Sequence, residues 1–176
     1  YPKTRIQREN ADKIIEAALD VFSADGFRGA TIEQIAQVAG MSKPNLLYYF
    51  ASKEEIYRTV LDATLGIWMA PLHSFNENGD PLEEIRRYIR LKLKMAHDFP
   101  RESRLFANEM LRGAPVVQDV LVKSNAVIDE KCAIMDKWIA QGRLRAINPR
   151  HLLFAIWATT QHYADFDVQV KAVLGT

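Results

Sequence analysis

Apolar positions along this chain recur with helical period almost throughout. Ile14, Ile15, Ala18, Leu19 and Phe22 fall on one stripe, which the Asp25-Gly26 pair ends. After Gly29, Thr31 precedes Ile32, Ile35, Ala36 and Ala39 at the i, i+3, i+4, i+7 spacing of one buried face, and Thr31 with Gln34 has the form of a capping box. Gly40 leaves a helix easily at positive φ. Ser42 then starts a second short helix with Pro44 in its first turn, where a missing N–H costs little. Ser52 and Glu55 repeat the capping signature ahead of a long helix through Ile56, Tyr57, Val60, Leu61, Leu65, Trp68 and Met69, with Pro71 in its end region.

The second part of the chain continues in the same period. Asn76 to Pro81 reads as a loop, and Asp80 with Glu83 opens a helix carrying Leu82, Ile85, Tyr88, Ile89, Lys92, Leu93 and Ala96 until Phe99-Pro100 stops it. A further helix runs from Arg101 to about Arg112, with Leu105, Phe106, Glu109 and Met110, and Gly113 and Pro115 break it. Residues 116–141 read as one amphipathic helix through Val117, Val120, Leu121, Ala126, Ile128, Ile134, Met135 and Trp138, closed by Gly142. Asn148-Pro149 starts the last substantial helix, HLLFAIWATTQHYADF. It is apolar nearly all round through Ala158 and is therefore expected to be buried. No run alternates with period two between hairpin turns, so the expected class is all-α.

Residues 27–53 form the most specific local pattern, two short helices joined by a tight glycine turn, which is a helix-turn-helix. A rotation of about 100° per residue places Leu46, Tyr49 and Phe50 inward and Pro44, Asn45 and Tyr48 largely outward. Lys43 and Asn45 could reach base edges in a major groove, while the tyrosine hydroxyls and Lys53 meet phosphates.

Composition changes this picture little. The chain has 176 residues, 48% hydrophobic and 26% charged, and no apolar run long enough to span a membrane. Without a basic-then-apolar leader the expected location is cytoplasmic, and a single cysteine, Cys132, excludes an intrachain disulfide framework. The net charge of +1 does not mark a nucleic-acid binder, but placement is informative. The bases of the first 53 residues lie in the N-terminal arm, the inter-helix loop and the reading helix, and most of the acids lie along the first helix. A flexible arm over residues 1–8 would let its lysine and arginines follow a phosphate backbone or enter a minor groove.

In the second region, large aromatic and soft side chains are core filler by default. Gln161, one turn after Trp157, is the less expected residue. An amide in an apolar helix must find partners, and its donor and acceptor complement the N–H and C=O pair of a cyclic imide. Nearby indoles could stack on such a ring.

The order ENADKIIEAALDVFSADGF, then TIEQIAQVAGMSKPNLLYYFASKEEIY, resembles the N-terminal domain of the TetR family of transcriptional regulators. One departure is that the Tyr-Tyr-His-Phe stretch of most members is Tyr48-Tyr49-Phe50 here, without the histidine. The resemblance implies a three-helix DNA-binding domain over residues 1–53 and a helical effector-binding and dimerisation domain over 54–176. The final helix that members usually carry is expected to be missing. It also implies operator double-stranded DNA as partner, contacted by Ser42, Lys43, Pro44, Asn45, Tyr48 and Tyr49, with Arg28, Thr31 and Lys53 on phosphates, and a homodimer spanning half-sites about 34 Å apart.

The stretches NLLYYFASKEEIY, IWMAPL, YIRLKLKMAHDFPRESRLFANEML and IWATTQHYADFDVQV resemble a subgroup of that family that regulates pyrimidine utilisation and responds to uracil or thymine. This implies that Trp68, Trp157 and Gln161 line the effector pocket. Helix position adds Tyr88, Phe106, Met110 and Tyr163. The expected function is therefore a repressor of pyrimidine or nitrogen catabolism released by a small planar effector, with no cofactor, no metal and no catalysis. Two alternatives stay open: a related regulator answering to an unrelated small hydrophobic ligand, and a helical enzyme using His162 beside Gln161 and Asp165.

Overall fold

The computed structural model describes residues 5–175, apart from the side chains of Val120 and Lys123. Every element among them is a helix: α1 (Arg5–Gly29), α2 (Ile32–Val38), α3 (Lys43–Tyr49), α4 (Lys53–His73), α5 (Pro81–Asp98), α6 (Pro100–Leu111), α7 (Gln118–Ala140), α8 (Pro149–Asp165) and α9 (Asp167–Leu174). The all-α class is what the period of the apolar positions demands.

The short helices start where their caps stand. Thr31 accepts from the Gln34 backbone N–H at 3.2 Å, and the Gln34 side chain accepts from the Thr31 N–H at 2.8 Å, closing the capping box that opens α2. Ser42 caps α3, and Ser52 caps α4 by accepting from Glu55 N at 3.1 Å. In α4 the reciprocal contact slips by one residue, because the Glu55 carboxylate accepts from Ala51 N rather than from Ser52 N. Asp80 accepts from both Leu82 N and Glu83 N at the start of α5. Gly26 and Gly40 sit at φ of 67° and 68°, the left-handed region where side chains are strained. Gly26 breaks α1 and Gly40 turns α2 into α3.

Two results differ from the expected elements. Residues 5–8 are helical, with Arg5 paired to Glu9 at 3.2 Å across one turn, so the proposed arm is shortened. Residues 1–4 lie outside the described residues. The other concerns α8, expected to be buried all round. Leu153, Ile156, Thr160 and Ala164 are buried, but Phe154, Tyr163 and Phe166 are each more than half exposed. The single chain covers only part of α8, and the exposed stretch around Tyr163 and Phe166 continues into Val168, Val173 and Leu174 of α9.

Apolar side chains gather in two cores. The first joins α1 to α4, through Ile14, Phe22, Ile35, Leu46, Ile56, Tyr57 and Leu61, and takes in Leu105 of α6 and Val117 beside α7. The second joins α4, α5, α7 and α8 through Leu72, Tyr88, Met135, Trp138, Leu153 and Ile156. The loop after α4 is pinned to the second core by Trp138, whose indole N–H donates to Glu77 O at 2.8 Å.

Charged groups also lie inside. Glu109 is wholly buried and accepts from the Tyr57 hydroxyl at 3.0 Å and from Val116 N at 2.9 Å. Burial pushes the Tyr57 phenol well above its usual range, and the Glu109 carboxylate adds to the effect. Lys92 of α5 is 3% exposed, with its ammonium over the Trp68 ring at 4.0 Å from the centroid. Burial pushes its pKa down to about 7, opposed by the charge of Asp165.

Two outcomes are expected. Gly40→Ala should lower the unfolding free energy by about 1–2 kcal/mol, since the left-handed conformation carries that strain for an alanine; an unchanged urea midpoint would show that the turn does not need it. Lys92 has a folded pKa below its unfolded value, so between about pH 7 and pH 10.5 the unfolded chain binds the extra proton and stability rises with pH. Lys92→Met should therefore stabilise the protein by on the order of 3 kcal/mol at pH 6. Thermal scans should show that gain shrinking towards pH 10, and a gain independent of pH would contradict the buried charge.

Candidate DNA-reading helix and ligand pocket

Helix α3 is held by the side chains it turns inward. Leu46 is fully buried, and the Tyr49 hydroxyl accepts from Asn10 Nδ2 of α1 at 2.9 Å. Tyr48 is 71% exposed, stands edge-on to the Tyr49 ring at 5.2 Å and touches Gln7 of α1 at 3.3 Å. Ser42, Lys43, Pro44 and Asn45 are exposed beside it, as are Arg28 and Thr31. The outward set expected for the reading helix thus shares one face, with α1 setting the orientation of both tyrosines.

Lysines near this face are already engaged. Lys43 Nζ contacts Glu33 Oε1 of α2 at 2.5 Å, and the Glu33 carboxyl is held below its usual range chiefly by that hydrogen bond. Lys53 is turned inward: its ammonium donates to Phe27 O at 2.8 Å and Ala30 O at 2.9 Å, and lies 4.5 Å from the Phe27 ring centroid. It satisfies carbonyls left over at the end of α1, a role that a cation fills well at a helix C-terminus. The structure therefore presents Lys53 as a brace between α1 and α4, not as a free hand for a phosphate.

The second candidate site lies where the two cores meet. A cavity of about 250 Å³ is lined by Leu65, Trp68 and Met69 of α4, Lys92 of α5, Phe106 of α6, Leu121, Ser124, Asn125 and Ile128 of α7, and Phe154, Trp157 and Gln161 of α8. That volume suits a small ring rather than a drug-sized ligand. Four of the expected pocket residues, Trp68, Phe106, Trp157 and Gln161, come together here. Tyr88 stands behind the wall instead, where its hydroxyl accepts from Trp157 Nε1 at 2.7 Å and burial pushes its pKa up to about 12. Met110 lines an adjoining cleft of about 800 Å³ that shares Phe106, Trp157 and Gln161 with the cavity.

Tyr163 does not line the cavity. Gln161 follows Trp157 by four residues and keeps its face, whereas Tyr163 comes two residues later, a rotation of about 200°. It lies on the outside of α8, 56% exposed, in a groove with Val170, Val173 and Leu174. His162 lies on the same outer side, exposed and stacked on Phe166 at 5.0 Å, so it does not share the cavity with Gln161. Of the lining residues that the sequence reading did not assign to the pocket, Lys92 is the charged one. Its signal was present: a lysine one turn after Tyr88 and one turn before Ala96, on the apolar stripe of α5. Trp68 Nε1 is a second polar group at this wall, buried with no hydrogen-bond partner.

Comparison with known proteins places two family models end to end along the chain. Residues 14–60 match the family described as "Bacterial regulatory proteins, tetR family", and residues 61–176 match "YcdC-like protein, C-terminal region". The HTH-type transcriptional regulator RutR of Escherichia coli (strain K12) is 55% identical over 163 residues, covering 92% of this chain and 77% of that protein. The HTH-type transcriptional repressor NicS of Pseudomonas putida is 41% identical over 64 residues, 34% of this chain and 30% of NicS. Among solved structures, the fatty acid degradation regulator FadR from Bacillus halodurans superposes with a TM-score of 0.70 at 21% identity, covering 98% of this chain and 88% of that one. AibR, solved with isovaleryl coenzyme A and operator DNA, does so with a TM-score of 0.70 at 15% identity over 88% of this chain and 85% of its own. Helix-turn-helix, helical body and long-range identity agree: the chain belongs to the TetR family of bacterial transcriptional regulators and is not an enzyme.

Proposed function

We propose that this regulator binds its operator as a homodimer and is released by a small planar cyclic imide, uracil or thymine, bound between Trp68, Trp157 and Gln161. The observation that carries the reading is the small cavity itself. It has two indoles and the carboxamides of Asn125 and Gln161 in its wall, and it touches α4 and α6, the helices that also pack against α1. An imide edge offers the N–H and C=O that the Gln161 amide complements. The resemblance to a pyrimidine-utilisation subgroup supplies the ring.

On the DNA side, Lys43, Pro44, Asn45 and Tyr48 enter the major groove, Ser42 and Tyr49 stand beside them, and Arg28 and Thr31 meet phosphates. Residues 1–53 form the reading head and residues 54–176 the sensing body. The exposed apolar side of α8 and α9 suits the dimer contact that would set the two heads a helical turn of DNA apart. Effector binding favours a pose of α4 and α6 in which the heads no longer match consecutive grooves. A tenfold loss of operator affinity requires about 1.4 kcal/mol of difference in effector affinity between the two poses. A larger hydrophobic effector is the second reading, favoured by the adjoining cleft of about 800 Å³.

Two measurements test these assignments. Against an operator selected from random-sequence DNA by the wild-type protein, the double variant Lys43→Ala, Tyr48→Ala should lose about 100-fold or more in affinity while keeping its helical circular dichroism. Retained binding would remove α3 as the reading helix. Calorimetric titration with uracil and thymine should give heat with the wild type and about 10- to 100-fold weaker binding with Gln161→Ala. No heat from either ring would sink the pyrimidine effector and leave the DNA role intact.

A further inference from the structure

The cavity at the meeting of the two cores holds a buried lysine with no counter-ion in contact. Lys92 is 3% exposed, and its Nζ makes no hydrogen bond and no ion pair among the described residues. Its electrostatic neighbour is Asp165 of α8, but that carboxylate accepts from Ser103 Oγ at 2.6 Å and is also drawn by Arg104 and His162. The Trp68 face under the ammonium attracts its charge without accepting its N–H donors one by one. Trp68 adds a buried indole N–H that lacks a partner. None of the residues lining the cavity is a carboxylate. The Lys92 ammonium and the Trp68 N–H are thus left without an acceptor in contact, and a ligand bringing oxygen acceptors to them would satisfy both.

We propose that this cavity selects its effector by acidity, taking cyclic imides whose ring N–H is acidic enough for negative charge to be drawn onto the ring oxygens facing Lys92. The inference rests on the pyrimidine reading above and adds what discriminates among rings of one shape. In the limiting case the ring N–H bond breaks and its proton passes to the lone pair of Lys92 Nζ in its amine form. The electron pair left on the ring nitrogen is shared with the flanking carbonyl oxygens, giving an ammonium–imidate pair with no proton exchanged with solvent. Burial that disfavours the lone ammonium is then offset by a partner in contact. Lys92 acts as the charge anchor and Gln161 as the group that reads the N–H and C=O edge.

Uracil and 5-fluorouracil test this, because they share a ring and the fluorine makes the ring N–H more acidic. Both are titrated calorimetrically into the full chain, as wild type, Lys92→Met and Lys92→Gln, each confirmed folded by its thermal transition. The wild type should bind 5-fluorouracil about tenfold or more tightly than uracil, and in both variants the two affinities should converge to within about twofold. Equal affinities in the wild type, or a preference that survives in both variants, would overturn the charge anchor while leaving the pyrimidine reading standing. Failure of the wild type to bind either ring would overturn that reading and this inference with it.

Discussion

The hydrogen bond from the Tyr57 hydroxyl to the buried Glu109 carboxylate is the constraint through which head and body hold each other. A carboxylate with no access to water must keep its donors, and the cost of losing one is far larger than the gain from making it. Glu109 keeps two, one from α4 and one from the backbone at Val116. Tyr57 meanwhile packs its ring edge-on against Phe22 at 4.9 Å and tilted against Phe27 at 4.7 Å, and so anchors the end of α1. Lys53 closes the same corner by holding two carbonyls of that end. Phe106 precedes Glu109 by one turn of α6 and lines the cavity. The cavity wall and the joint with the head thus lie one helical turn apart on α6. Arg101, at the other end of α6, pairs with Glu16 and Asp20 of α1, so the acidic side of that helix is spent on the body.

Much of this was legible in the chain because local chemistry decides it. Thr31, Ser42, Ser52, Asp80 and Asn148 start their helices where a side-chain oxygen can take an orphan N–H, and Gly26 and Gly40 stand where φ is positive. The common face of Trp157 and Gln161 follows from a spacing of four. What could not be read depends on neighbours far along the chain. The helical state of residues 5–8 has no start signal beyond ordinary propensity. The α8 sequence states that the helix is apolar, not how many partners one chain has to cover it. Lys92 stands on the apolar stripe of α5, but its place in a cavity shows only when α4 and α8 close over it, and Lys53 looks like a phosphate ligand until the carbonyls of α1 come within reach.

The cavity owes its place to the meeting of two cores that are each well filled. Neither core contributes its largest buried side chains to the wall: Tyr57 and Phe22 stay on one side and Trp138 and Tyr88 on the other. The wall is made of residues at the margins of both, with a lysine, two amides and one hydroxyl among them. A ligand there adds contact between two bodies that already stand, so its binding energy can go into their relative placement rather than into folding either one.

The pairing of Lys43 with Glu33 gives the reading face a further property. A lysine free in solution gathers mobile anions, and releasing them on contact with a phosphate is what makes DNA affinity fall steeply with added salt. Here the counter-charge is built into α2 and cannot be released into bulk. A phosphate that approached Lys43 would have to compete with that carboxylate, which would lessen any non-specific grip on a duplex there. Discrimination between an operator and the rest of a genome would then fall more heavily on shape and on base edges, the part of recognition that ionic strength leaves largely untouched.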